Sequence, residues 1–257
     1  MGKRIVKQFF YGIFFLAVFA GFVFLVYYLF FRSAPGCFNG RQDAGEEGID
    51  CGGVCARACL SINLLPLTIP GDVKILKLPE NRLSLLAEVR NGNSGYASPD
   101  FGYEFRLYDG AGNLIDSLPG SSFIYVGEIK YLAAINFLPS NLKNIARAEI
   151  AILRTEWQTP DKFFNPQPRI EFQKAFTNIS GNQVSADGIL VSNNTVAVPR
   201  GTVQALFRNA AGQVVGVSET ELVNLVPGDT RTFSVIHPLL KDIDAGKTQL
   251  RAYARWQ

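Results

Sequence analysis

The chain has one histidine and one methionine in 257 residues, and all four of its cysteines fall between positions 37 and 59. It also lacks a surplus of either charge once its first 31 residues are set aside. Each shortage excludes something. A lone His237, next to Pro238, has no second imidazole with which to build a dyad or a metal-bound pair. The GxSxG, SxxK, HExxH and P-loop patterns do not occur either, so the expected protein is not an enzyme. Removing Lys3, Arg4 and Lys7 from the 25 basic residues leaves 22, matched by 22 acidic ones. A nucleic-acid binder carries a basic surplus or stripe, and this chain carries neither, so nucleic acid is not among its expected partners.

What is present begins with Phe9 to Phe31, a run of 23 residues without a charge. At ~1.5 Å rise per residue it makes a helix of about 34 Å, enough to cross a hydrocarbon core of ~30 Å. Lys3, Arg4 and Lys7 precede the run and only Arg32 follows closely, which holds the N-terminus in the cytoplasm. Residues 1–8 are then a cytoplasmic stub and 9–31 a transmembrane signal anchor. The remaining 226 residues are expected to be extracytoplasmic. A cleaved signal has a shorter apolar core and a small-residue cleavage site, whereas here Pro35 interrupts Ser33-Ala34-Pro35-Gly36.

Residues 37–59 form a cysteine-rich module. Cys37, Cys51, Cys55 and Cys59, clustered outside the membrane in an oxidising compartment, read as two disulfides. Three pairings are open. A zinc site is the rival, but its paired CxxC knuckles are missing from a CxxxCxxxC spacing. Glycines at 40, 45, 48, 52 and 53 and a scarcity of apolar side chains leave covalent bridges to hold the segment. Asp43, Glu46, Glu47 and Asp50 place four carboxylates close together. Such hard oxygens suit calcium, although the spacing is not that of an EF-hand and solvated acids on a small loop-rich module are the favoured reading. The pattern Cys37, Asn39, Gly40, Asp43, Gly45, Glu46, Gly48, Asp50, Cys51, Gly52, Gly53, Cys55 resembles a short cysteine module of exported prokaryotic proteins ending in D-C-G-G-x-C.

The rest of the chain repeats itself. YEFRLYDGAGNLIDS at 103–117 answers VQALFRNAAGQVVGVS at 203–218. Val126-Gly127-Glu128 answers Pro227-Gly228-Asp229, and Leu142-Lys143-Asn144-Ile145 answers Leu240-Lys241-Asp242-Ile243. Trp157-Gln158 answers Trp256-Gln257. A constant offset near 100 residues is the mark of duplicated domains. Phe101, Tyr103, Phe105 and Leu107 alternate with Glu104, Arg106 and Tyr108, and Asp109-Gly110-Ala111-Gly112-Asn113 supplies a turn before Leu114-Ile115. Period two followed by a turn is a strand hairpin on a core, and Val203, Ala205 and Phe207 repeat it. The expected fold is therefore mainly β. One N-terminal transmembrane helix and the small disulfide-rich module precede two tandem immunoglobulin-like β-sandwiches, at 61–158 and 169–257. Three prolines make 159–168 a stiff linker in which Phe163 and Phe164 pack onto a sandwich or serve as a contact.

Phe105-Arg106-Leu107-Tyr108-Asp109 resembles the eponymous motif of FxLYD domains, extracytoplasmic sandwiches of bacteria and archaea similar to the late-embryogenesis-abundant type. Val89-Arg90-Asn91 and Val191-Ser192-Asn193 fit that family's early V-x-N. Val226-Pro227-Gly228-Asp229-Thr230 fits its later turn in the second copy alone, and Ala205-Leu206-Phe207-Arg208-Asn209 departs from the name motif. The resemblance implies a fold and a location and no reaction. The functional expectation is a non-catalytic, membrane-anchored interaction or scaffold protein of the prokaryotic cell envelope, with envelope proteins or wall polymers as partners. The alternative is an extracytoplasmic ligand- or calcium-binding module.

Overall fold

A computed structural model describes residues 2–30, 36–56, 59, 64–159 and 167–256. They divide into two units, Met1–Ser61 and Ile62–Gln257. In the first, α1 (Gly2–Phe30) is one uninterrupted helix. Its stretch Lys7–Tyr27 is long and apolar enough to cross a membrane, and no protein covers it. Phe31 lies outside the described residues. After the helix, residues 36–56 are turns and bends with a single Gly48–Cys51 bridge. Two disulfides, Cys37–Cys55 and Cys51–Cys59, close this segment. Gly53 shows why its glycines are needed. Its φ is +57°, and a Cβ there would sit 1.9 Å from the Gly45 carbonyl oxygen.

Among its described residues the second unit holds twelve strands in four three-stranded antiparallel sheets. β1 (Lys74–Lys77), β2 (Leu83–Arg90) and β5 (Ile129–Phe137) make one sheet in the order β1-β2-β5. β3 (Ala97–Tyr108), β4 (Leu114–Ile124) and β6 (Arg147–Gln158) make its companion in the order β4-β3-β6. The other two sheets repeat this arrangement. β7 (Ile170–Ser180), β8 (Gln183–Ser192) and β11 (Thr230–Pro238) are ordered β11-β8-β7. β9 (Val198–Arg208), β10 (Val214–Leu225) and β12 (Gln249–Arg255) are ordered β10-β9-β12. The internal repeat is thus a repeat of topology, one sandwich per copy.

Each sandwich is filled by its inward alternate residues. Phe101, Phe105 and Leu107 meet Leu83, Leu85 and Val89 in the first core, with Tyr103 and Trp157 packed at its border. Val203, Ala205 and Phe207 meet Val184, Leu190 and Val235 in the second, with Trp256 at the border. The hairpin turns also match. Asp109 Oδ1 accepts from the Ala111 and Asn113 N–H groups, Asn209 Oδ1 accepts from the Gln213 N–H, and Gly112 and Gly212 take φ of +87° and +78°. One alignment shifts by a residue. The Asn91 N–H donates to the Glu128 carbonyl, and the equivalent donor to Asp229 is Ser192, so the counterpart of Asn91 is Ser192 and not Asn193. The side chain that repeats is the next polar one. Asn93 accepts from the Leu65 N–H and Asn194 accepts from the Arg169 N–H, each holding the strand that enters its sandwich.

Candidate functional site: a cleft between the sandwiches

The two sandwiches are joined by more than the chain between them. Outward Leu76 and Leu86 of the β1-β2-β5 sheet pack with Leu206, Val214 and Val217 of the β10-β9-β12 sheet, and Tyr131, Ala133 and Ile135 border the cluster. Leu206 is fully buried although it points away from its own core. Hydrogen bonds lock the join. The Tyr125 hydroxyl donates to the Ala254 carbonyl (2.6 Å), the Tyr131 N–H donates to the Tyr253 hydroxyl (3.0 Å), and Gln204 Nε2 donates to the Tyr131 carbonyl (3.2 Å). Tyr131 lies on the edge strand β5, so side chains of the second sandwich occupy backbone groups that would otherwise be open to strand addition. The linker residues 160–166, with Phe163 and Phe164, lie outside the described residues.

Beside this join lies an open cleft of about 650 Å³. Its first wall is Tyr103, the 121–123 end of β4 and the 130–133 start of β5. Its second wall is the 199–202 start of β9, residues 219–221 of β10, Tyr253 and Arg255. Local sequence explains the shape. Tyr103 faces Gly120 across the β3–β4 pair, and a Cβ at Gly120 would come within 2.5 Å of the Tyr103 ring. The missing side chain lets that ring lie over β4 and reach the cleft. Gly201 likewise lies tight against Ala254 and the Tyr253 carbonyl, which keeps β9 and β12 close.

Lys130 is the only basic side chain buried in this region among the described residues. Nζ donates to the Phe123 carbonyl (2.8 Å) and lies 3.2 Å from the Phe123 ring centroid and 4.7 Å from that of Tyr253. Burial pushes its pKa down to about 8, against the opposing pull of Glu128 and Glu219. The repeat identifies its main task. Arg231, in the same place on β11, donates to the Val223 and Asn224 carbonyls at the end of β10. In both copies a cation ties the end of one strand to the start of the next, which is a structural role. Glu219 differs. The residue is exposed overall, yet burial around its carboxyl raises its pKa. Its Oε1 accepts from Gln204 Nε2 (2.7 Å).

The sequence-derived candidates lie elsewhere. Asp50 accepts from the Asn39 and Gly40 N–H groups, Asp43 from the Gly36 N–H and the Asn39 amide, and Glu46 from the Asp43 and Asp50 N–H groups. These three carboxylates therefore organise the loop around the disulfides. The Glu47 side chain lies over Gly52. Glu46 also lies near the sulfurs of Cys37 and Cys55, but those are joined to each other and offer no thiolate to a metal. His237 is buried against Phe207, with Nε2 lacking a partner and its pKa lowered by burial, and it takes no part in the cleft.

Sequence reasoning did not anticipate the cleft, because period-two alternation separates core from non-core positions and assigns every outward residue to solvent. One signal was available. Leu206 stands at an outward position where the first copy has Arg106. Compared with known proteins, the chain matches no family model and no curated sequence.

Proposed function

We propose that the chain is a non-catalytic, membrane-anchored interaction protein of the prokaryotic cell envelope, holding its FxLYD-like, immunoglobulin-like sandwiches outside the membrane for envelope proteins or wall polymers to bind. The observation that carries this reading is α1, whose apolar stretch Lys7–Tyr27 is not buried by protein and follows basic residues in the sequence. The locked pair of sandwiches supports it, since a rigid body loses little freedom on binding. The burial of the one histidine inside a sandwich supports the non-catalytic part. Cross-linking of the tagged chain in intact membranes, followed by gentle solubilisation and mass spectrometry, is expected to recover a reproducible envelope partner. Recovery of the chain alone would count against the proposal.

The cleft favours a second reading, a ligand-binding module. Its volume falls within the ~300–1,000 Å³ of small-molecule sites. The interiors of the sandwiches are filled by side chains, so a ligand would be held between the two and not within either. For calcium, the candidates remain Asp43, Glu46, Glu47 and Asp50. Their engagement with backbone N–H groups favours a loop-holding role, and calorimetric titration with millimolar calcium would separate the two.

A further inference from the structure

The cleft carries a prediction about ligand class, which rests on reading the chain as a binding protein. Charges of both signs line it, and they are largely answered in place. Arg200 Nε lies 3.9 Å from Glu221 Oε1, and Lys130 is held by the Phe123 carbonyl between two aromatic rings. Arg255 donates to the Pro99 carbonyl and stands 5.8 Å from the Phe123 ring. Lys130, Arg200 and Arg255 stand against Glu219 and Glu221, which leaves a formal balance of only +1 along the cleft. The remaining features are flat and polar in alternation. Tyr103 and Phe123 are half-buried aromatic residues, Thr202 is a half-buried hydroxyl residue, and Glu219 is exposed.

A sugar ring has the complementary surface, with C–H faces that cover aromatic rings and a rim of hydroxyls that both donate and accept. The carboxylate of Glu219 accepts from such hydroxyls through charge-assisted bonds, the stronger kind of hydrogen bond. Both walls are fixed by the contacts that lock the sandwiches, so the rings and hydroxyls are already placed before a ligand arrives. We propose that the cleft between the sandwiches binds an uncharged oligosaccharide segment, stacked on Tyr103 and Phe123 and hydrogen-bonded by Glu219 and Thr202.

The test uses the full chain in lipid nanodiscs prepared without sugar-based detergent. The probes are cellotriose, maltotriose and the N-acetylglucosamine trimer, followed by calorimetry and by saturation-transfer NMR of the sugar C–H protons. At least one probe is expected to bind. Glu219→Gln and Thr202→Val should each weaken it by about tenfold or more, the scale of one hydrogen bond to a charged group. Thermal melts that match the unmodified protein would show that both variants fold. Binding of none of the three, or binding that neither variant alters, overturns the proposal. Binding of a galacturonate trimer or spermidine in place of the neutral sugars also overturns it, while leaving the interaction reading intact. That broader reading fails separately, if cross-linking in membranes recovers no partner.

Discussion

Arg106 of the first sandwich and Leu206 of the second occupy the same outward position on the same strand, and their surroundings are opposite. Leu206 is fully buried under Leu86, whereas Arg106 is partly exposed and pairs with Glu104. The other half of the join behaves alike. Leu86 is covered, while its counterpart on β8, by the shared strand register, is Asp187. Each sandwich therefore has two outer faces of the same design, and at these two positions leucine appears only on the faces that meet. The join is head-to-tail, with one face of the first copy against a different face of the second. Such contacts can continue indefinitely unless the end faces differ. Here the end faces carry Arg106 and Asp187 in place of leucine, as terminal repeats of stacked proteins do, although Phe176 and Ile236 stay exposed beside Asp187.

The sharpest way to break this contrast is to make the second copy like the first. Leu206→Arg places a charge where a buried leucine was, and should lower stability by about 3 kcal/mol or more, read by urea unfolding of the full chain. It should also split one cooperative transition into two as the sandwiches lose their contact. A second exchange concerns Tyr103 opposite Gly120, which is Val203 opposite Thr220 in the other copy. Gly120→Thr would press against the Tyr103 ring and should cost about 1–3 kcal/mol while narrowing the cleft. The cost of Thr220→Gly is expected to be smaller, because no ring takes up the space.

Asn93→Ala should cost about 1–3 kcal/mol in the same assay, since its amide bonds the Leu65 carbonyl and Asn91 as well as accepting from the Leu65 N–H. Asn194→Ala should cost less, as Asn194 bonds only Arg169 and Ser192 among the described residues. His237 has no histidine counterpart in the first sandwich, so acid should weaken the second preferentially. Its pKa is lowered in the folded protein. The unfolded chain then binds the proton more readily, and stability present above the unfolded value of about 6.5 falls as pH drops through it toward the lowered one. Thermal melts at pH 7 and pH 5 should show the loss, and His237→Phe should reduce it. Arg106→Leu should leave the melting temperature where it is.

Much of this fold was legible in the sequence. Alternation gave Phe101, Phe105 and Leu107 their inward positions, and the shared glycines at 112 and 212 marked equivalent turns. Other parts were not. Val191-Ser192-Asn193 looked like a second V-x-N because the three letters match, but hydrogen bonding follows strand register and makes Ser192 the partner of Asn91. Nothing in the sequence around Lys130 marks its burial, which involves Tyr253, more than a hundred residues away. The cleft needs both copies in place, and no pattern within one copy encodes it.

The head-to-tail join has a consequence for how the chain can be divided or recombined. Either sandwich alone would expose the leucines that now cover one another, Leu76 and Leu86 on one side and Leu206 on the other. Duplication usually yields parts that can be shuffled independently among genes. In this chain the two copies are complementary halves, and neither keeps its outward leucines covered without the other.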